Sequence, residues 1–281
     1  MKADLHLHSV YSDGKYTPQE LALRAKAAGL DLYSVTDHDS MEGAEEKAAA
    51  AREVGLCYVQ GWEVSSYEDC KVHVLGYACE RGEAYFRFLE ERIRGAQLRA
   101  ADMLEKANRY FGFAVTMSEA EKEHFKKDAP IHTMHVVRVF ARKLGMGVGE
   151  TYLAFFDKGK PAYSDLCRPT ATDAVNVIHA CGGIAVLAHP GRIAKPFGER
   201  EKLMERLVSE GLDGIECVYT THTAQETEYF TRFARAHSLL VTGGSDMHAE
   251  NGKRTMGKPD FYPDEALLAA LRVPSRGGVG E

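Results

Sequence analysis

Seven short apolar runs punctuate this chain: ADLHLH, DLYSVT, LCYVQGWEVS, KVHVLGY, GIAVLAH, LDGIECVY and SLLVTGGSD. Each reads as a strand, and helical stretches separate most of them. TPQELALRAKAAG offers Thr17 as N-cap, Pro18 at the first helical position and Gly29 as a stop. SMEGAEEKAAAAREVG is rich in alanine and stops at Gly55. TATDAVNVIHACGG, FGEREKLMERLVSEG and TAQETEYFTRFARAHS share the same pattern. Alternation of strand and helix predicts a parallel α/β architecture. The third and fourth runs depart from it. Only a short loop around YEDC lies between them, so a hairpin is expected there.

Between KVHVLGY and GIAVLAH the rhythm stops for roughly a hundred residues, and the sequence becomes helical. GEAYFRFLEERIRGAQLRAADMLEKANRYFG reads as one or two helices, and TMSEAEKEHFKK opens on a possible capping box from Thr116 to Glu119. HTMHVVRVFARKLG and VGETYLAFFDKG add two more. The expected organisation is a barrel-forming part over 1–81, a helical insertion over 82–162 and the rest of the barrel over 163–281, ending in a frayed tail.

The 281 residues, 44% hydrophobic, suffice for one large domain carrying such an insertion. No apolar run reaches the length of a membrane span, and MKADLHLH has no signal-like character. Six scattered cysteines without a CxxC pair point to reduced thiols and a cytoplasmic setting. A net charge of −6 argues against a protein that simply coats nucleic acid. An anionic substrate would need a local positive field, which bound cations supply.

Histidines and acids recur where the apolar runs end. His6 and His8 have strand spacing, and Asp13 comes shortly after. His38 comes after the second run, Glu63 sits near the end of the third, His73 in the fourth, and His189 ends the fifth. Asp246 and His248 stand two apart after the seventh. In a closed α/β barrel, strand ends meet on one face, where active sites form. Six imidazoles and three carboxylates cannot gather there unpaired, and divalent metals resolve the conflict. Nine ligands exceed one ion's needs, so two or three ions are implied, with a carboxylate such as Glu63 bridging. Nitrogen and oxygen donors without thiolate favour Mn²⁺, Zn²⁺ or Fe²⁺. Clustered ions polarise a phosphoryl oxygen, generate hydroxide near neutral pH and stabilise a leaving oxygen.

The stretches DLHLHSVYSDG, VTDHD, GWEVS, VHVLGY, LAHPGR, GLDGIECVY and VTGGSDMH together resemble the PHP (polymerase and histidinol phosphatase) family, in order and over nearly the whole chain. The resemblance implies a distorted (β/α)7 barrel with a trinuclear metal centre. By position it implies that His6, His8, Glu63 and Asp246 hold one metal, that Glu63, His73 and His189 hold a second, and that Asp13, His38 and His248 hold a third. Within the family, the insertion is similar to that of stand-alone bacterial nucleoside 3',5'-bisphosphate phosphatases and 5'-to-3' exonucleases on short RNA. That branch carries an Arg-Pro-His-like stretch where this chain reads Thr133, Met134 and His135. The histidine is kept and the arginine is not, which bears on the substrate more than on the chemistry.

Three further residues are expected to serve the substrate. Arg192, directly after AHPG, would clamp a phosphate. His222, after the sixth run, would bind phosphate or protonate the leaving oxygen. His135 would reach the site from the insertion. Lys158 and Lys160 attract anions or simply border a solvated loop. Arg92, Arg94 and Arg99 share a helix with many glutamates and are expected to be salt-bridged. His124, His179 and His237 read as structural or surface residues, and Trp62 as core.

The expected activity is metal-dependent hydrolysis of a phosphate monoester, first of a nucleoside 3',5'-bisphosphate. Exonuclease action on short oligonucleotides or a histidinol-phosphate-type reaction are the alternatives within the same chemistry. Amide or lactone hydrolysis would call for a bridging lysine at a middle strand end, and none is found. A metal-stabilised structural module of a polymerase is a further alternative, but no polymerase is attached. Neither a membrane nor an obligate protein partner is expected.

Overall fold

The computed structural model describes residues 1–123, 131, 133–250, 252 and 254–273. Its strands are β1 (Ala3–Leu7), β2 (Leu32–Val35), β3 (Cys57–Tyr67), β4 (Lys71–Tyr77), β5 (Ile184–Leu187), β6 (Gly214–Tyr219) and β7 (Leu240–Gly244). Its helices are α1 (Pro18–Ala27), α2 (Ala44–Val54), α3 (Glu83–Phe111), α4 (Met117–Glu121), α5 (Thr133–Leu144), α6 (Val148–Thr151), α7 (Ala171–Ala180), α8 (Phe197–Ser209), α9 (Ala224–Ala236) and α10 (Glu265–Ala270). The chain forms two compact units, Met1–Tyr85 with Pro169–Glu281, and Phe86–Arg168. The sequence pattern put the divisions at 82 and 162. They fall later because α3 runs through the first, and because Arg99 on α3 donates to the carbonyls of Leu166 and Cys167 beyond the second. Arg99 is therefore bound to backbone and not to the helix's own glutamates.

In the first unit the seven strands form one sheet in sequence order. β1, β2 and β3 run parallel, as do β5, β6 and β7. β4 alone is reversed and pairs antiparallel with both neighbours. The β3–β4 hairpin turns at Asp69, whose φ is +63°. At the seam, the Asp246 amide donates to the His6 carbonyl (2.8 Å) and the His8 amide to the Met247 carbonyl (3.1 Å). The sheet thus nearly closes into a distorted (β/α)7 barrel.

Sequence explains these elements locally. Thr17 and Glu20 form a reciprocal capping box at α1, and Thr170 and Thr223 head α7 and α9 in the same way. Each such cap stabilises its helix by about 1 kcal/mol. α2 begins at Ala44, later than the run from Ser40 suggested. Gly43 is left-handed (φ +69°), and the preceding segment runs along β3, with the Asp39 amide on the Glu63 carbonyl at 2.8 Å. Leu5, Leu32, Val59, Leu75, Tyr77, Val186 and Ala188 form one apolar cluster among the strands. Leu7, Tyr33 and Val35 pack against Leu21, Ala25 and Ala51 of α1 and α2 in another. Trp62 is fully buried, as expected of a core residue.

The second unit is helical, with a π-helical stretch over Tyr152–Phe156 that the sequence pattern did not reveal. Met103, Leu104, Val136, Val137, Phe140 and Phe156 lie in its core. Of the expected helix through TMSEAEKEHFKK, α4 accounts for the first turns. Residues 124–130, His124 among them, lie outside the described residues, as does the tail from 274. Among the described residues no helix is long and apolar enough to cross a membrane.

All six cysteines are free thiols. Burial pushes Cys79 and Cys217 up to about 12, whereas Cys167 is exposed. Only thiolate reacts with a disulfide reagent. Labelling the folded protein and mapping the adducts by mass spectrometry should find Cys167 modified first, with Cys79 and Cys217 protected until unfolding. Early labelling of Cys217 would contradict the packing of β6.

Candidate metal centre

At one end of the barrel the structure brings together His6, His8, Asp13, His38, Glu63, His73, His189, Asp246 and His248. Glu63 is the hub. Its Oε1 lies 2.8 Å from His73 Nδ1 and 3.0 Å from His189 Nε2. Its Oε2 lies 3.3 Å from both His6 Nε2 and His8 Nε2, and 3.0 Å from His38 Nδ1. Five imidazoles thus face one carboxylate that is fully buried. Asp246 Oδ1 is the second anion, 3.2 Å from His8 Nε2 and 3.5 Å from His6 Nε2. Asp13 approaches from its loop, 3.2 Å from His248 Nε2 and 3.9 Å from His38 Nε2.

Three groups have donor atoms mutually within 4.8 Å: His6, His8, Glu63 and Asp246; His8, Asp13, His38 and His248; and His38, Glu63 and His73. They overlap the grouping implied by the family resemblance without reproducing it. His8 joins the Asp13 group, and His38 stands nearer Glu63 than that grouping placed it. His189 reaches the cluster through Glu63 Oε1.

This crowding sets the electrostatics. Burial pushes the Glu63 carboxyl up, but His73, His6 and the hydrogen bonds from its neighbours outweigh it and hold the group well below the usual carboxylate range. Burial works against a charged His6, yet Glu216, Glu63 and Asp246 raise its pKa well above the ordinary value. Asp13 is partly desolvated, but the His248 hydrogen bond and the His38 charge bring it down to about 2. Several buried atoms have no hydrogen-bond partner among the described residues: His6 Nε2, both ring nitrogens of His8, His38 Nδ1 and Glu63 Oε2. Native proteins rarely leave such atoms unpaired. Unpaired nitrogen and oxygen donors converging on shared points are what a divalent cation requires. The cluster fits divalent metals, and this is a divalent-metal-binding site.

A surrounding set of residues, unmarked by any sequence pattern above, holds the donors in place. Glu216, fully buried on β6, accepts from His6 Nδ1 at 2.9 Å through one oxygen and from the His189 amide at 2.8 Å through the other. In the neutral, metal-binding form of the ring the first bond keeps the proton on Nδ1 and turns Nε2 to the cluster. The second holds His189 at φ +27°, a conformation rare outside glycine. Asp37 receives the Ser9 amide at 2.7 Å and the Ser9 and Ser12 hydroxyls at 2.6 and 2.7 Å, fixing the loop that carries Asp13. Lys47 pairs with Asp37 at 2.6 Å, and both are fully buried. Removing one partner of such a pair costs about 3–5 kcal/mol. Asp246 Oδ2 takes Tyr219 (2.7 Å), Arg254 (2.9 Å) and Arg192 (3.2 Å), leaving Oδ1 for the cluster. A Cβ on Gly244 would stand 2.3 Å from that of His6, so β7 and β1 meet this closely only with glycine there. An acid inside the otherwise apolar GIECVY was the available signal for Glu216.

The substrate candidates fare differently. Arg192 stands beside Asp246, its side chain half-exposed. His222 is held by backbone on both ring nitrogens: its Nδ1 donates to the Cys217 carbonyl (3.0 Å), and its Nε2 accepts from the Gly191 amide (3.1 Å), which braces the turn that carries Arg192. His135 lies on α5 of the second unit and is largely buried there. His179 pairs with Asp213 at 2.8 Å, away from the cluster. The cavity above the donors measures about 240 Å³, and Lys71 and Arg254 join Arg192 along its wall.

Comparison with known proteins matches this architecture. The PHP domain family matches residues 4–167. The 3',5'-nucleoside bisphosphate phosphatase of Chromobacterium violaceum is 33% identical over 276 residues, 92% of each chain. The 5'-3' exoribonuclease of Haemophilus influenzae is 30% identical over 266 residues, 92% of this chain and 93% of that one. A solved amidohydrolase from Chromobacterium violaceum, with bound sulfate and no metal, matches with a TM-score of 0.68 at 30% identity, over 94% of this chain and 93% of that one. The barrel and its donor cluster are those of a metal-dependent hydrolase. The chain belongs to the PHP family.

The Glu216 contacts make a quantitative prediction. Glu216→Gln keeps the shape but lets His6 adopt either tautomer. Loss of such an outer carboxylate typically costs 10–100-fold in metal affinity. Calorimetric titration of the metal-free variant with Mn²⁺ should show a fall of that size, with an unchanged far-UV spectrum. Equal affinity would remove Glu216 from the support of the site.

Proposed function

We propose that this metal-dependent phosphoester hydrolase cleaves a phosphate monoester of a nucleotide, first of all a nucleoside 3',5'-bisphosphate, to give the nucleoside 5'-monophosphate and inorganic phosphate. The observation that carries the reading is Glu63, one buried carboxylate shared among five imidazoles, with Asp246 as second anion. His6, His8, Glu63 and Asp246 would hold one ion, Glu63, His73 and His189 a second, and Asp13, His38 and His248 a third, with His8 adjoining. Nitrogen and oxygen donors without thiolate favour Mn²⁺, with Zn²⁺ or Fe²⁺ as alternatives. Divalent ions bound there supply Lewis acidity towards phosphoryl oxygens, acidity to bound water and compensation of charge on the leaving oxygen.

The chain's own residues do the rest. Arg192 uses only Nη1 for Tyr219 and Asp246, so the other edge of its guanidinium is left for a substrate phosphate. Tyr219, its pKa raised by burial and by Asp246, stays protonated and keeps its hydrogen bond to the carboxylate. Water contributes oxygen to phosphorus, the ester P–O bond breaks, and the departing alcohol takes a proton from solvent, since both ring nitrogens of His222 are engaged with backbone. A cavity of about 240 Å³ is below the usual range for enclosing a whole ligand, so it takes the phosphoryl end and leaves the nucleoside outside. That same openness favours a second reading, exonuclease action on short RNA, which the name of the Haemophilus influenzae relative supports. Lys47, the fully buried lysine, is bound to Asp37, so nothing favours the lysine-bridged centre of an amide hydrolase. Six free thiols support a reducing, cytoplasmic setting.

Metal analysis combined with phosphate release from a panel tests this: nucleoside 3',5'-bisphosphates, short 5'-phosphorylated RNA, histidinol phosphate and simple monoesters. The bisphosphate should give the highest kcat/KM, and chelation should abolish release until Mn²⁺ is restored. His38→Ala and Asp246→Asn should each lower kcat by roughly 10²-fold or more while leaving the fold intact. Full activity in either variant would sink the ligand assignment.

A further inference from the structure

The cavity has two tiers. Its floor is the imidazole and carboxylate cluster. Its rim carries the cations Lys71, Arg192 and Arg254, of which a sequence motif marked only Arg192. Lys71 and His73 are two residues apart on β4, a regular strand whose register runs Tyr67↔Lys71, Ser65↔His73 and Glu63↔Leu75. Strand alternation puts both side chains on the face that carries Glu63, Lys71 about 7 Å further out than His73. The neighbouring strand repeats the arrangement: His189 comes after β5 at floor level, and Arg192 lies one short turn beyond it. Lys71 is exposed, lines the cavity and has no hydrogen bond or ion pair among the described residues. Arg192 is committed through Nη1 alone. Arg254 is not comparable, because Asp246 and Tyr219 hold its guanidinium.

We propose that Lys71, together with the free edge of Arg192, forms a subsite for a second phosphate of the substrate, one strand repeat above the phosphate being cleaved. An unpaired ammonium beside a metal-lined floor gains nothing from the floor, which carries positive charge once loaded. It gains a great deal from an anion positioned between them. The ligand class is therefore a small molecule with two phosphate groups on one scaffold, one on the metals and one on the rim. That second phosphate is either a monoester, as in a nucleoside bisphosphate, or the next diester of a short nucleic-acid chain. The inference rests on the phosphomonoesterase reading and gives it a specificity element in the barrel itself.

Lys71→Gln separates the outcomes. With a nucleoside 3',5'-bisphosphate, KM should rise about tenfold or more with kcat little changed, as expected for a lost charge-assisted hydrogen bond that binds ground and transition states alike. With a nucleoside 3'-monophosphate, which lacks the second phosphate, both constants should stay at their wild-type values. Lys71→Arg should restore most of the loss. A 5'-phosphorylated dinucleotide identifies the source: a matching rise in KM assigns the next diester to the same subsite, and an unchanged KM confines it to bisphosphates. Equal effects on bisphosphate and monophosphate, or no effect on either, would overturn the proposal. If the wild-type enzyme releases phosphate from neither, the turnover reading fails by itself. Calorimetric Kd values for the Mn²⁺-loaded protein then decide the subsite. It stands if the bisphosphate binds more tightly than the monophosphate and Lys71→Gln removes the difference, and it falls if the two bind alike.

Discussion

One carboxylate organises this molecule. Glu63 is fully buried and within 3.3 Å of a nitrogen on each of five histidines. A lone buried carboxylate would be costly enough to take up a proton. Here the surrounding imidazoles hold it ionised, and it in turn sets how near those rings can come. The five reach it from β1 and the residue just after it, from the loop after β2, from β4 and from the turn after β5. A barrel that failed to close, or a β4 that ran the other way, would leave the charge without its partners. Antiparallel pairing of β4 brings His73 and Lys71 to the end where the parallel strands finish.

The seam between the first and last strands carries a similar burden. Asp246 and His248 come after β7, His6 and His8 lie in and just after β1, and the two segments are joined by backbone hydrogen bonds as well as by the shared cluster. Buried Asp4 reinforces the join, accepting from the amides of Ser245 (2.9 Å) and Gly257 (2.7 Å). Contacts more than two hundred residues apart in sequence carry a large loop-closure cost. The backbone bonds and the absence of a side chain at Gly244 make that closure tight enough to align donors from both ends.

Much of this was legible in the sequence. Seven apolar runs give seven strands, and histidines at their ends mark the cluster. Periodicity and capping residues are local signals, so Thr17 with Glu20 announces α1 without help from the rest of the chain. The residues missed act through distant partners. Glu216 matters because β6 faces both His6 and His189, and Lys47 because α2 packs its ammonium against Asp37. His222 shows the converse. Its place after a strand suggested chemistry, but two backbone hydrogen bonds give it a bracing role that no spacing could disclose. The start of α2 and the π-helical stretch were hidden for a related reason, since neighbouring segments decide them.

The charge arrangement also makes the polarity of the floor depend on what it holds. Without metals the floor presents Glu63 and Asp246, which repel a phosphate, and the chain as a whole carries −6. Arg192 and Arg254 are partly spent on Asp246, so the rim alone offsets little of that field. Divalent ions held there would offset the charge of Glu63 and Asp246, and neutral rings are the form that binds an ion. Glu63 and Asp246, both held below the usual carboxylate range, are therefore the anions that bound metals would share. The same reasoning suits a chain of net charge −6: a positive potential for an anion would be confined to the small cavity lined by Lys71, Arg192 and Arg254 and to ions held on its floor.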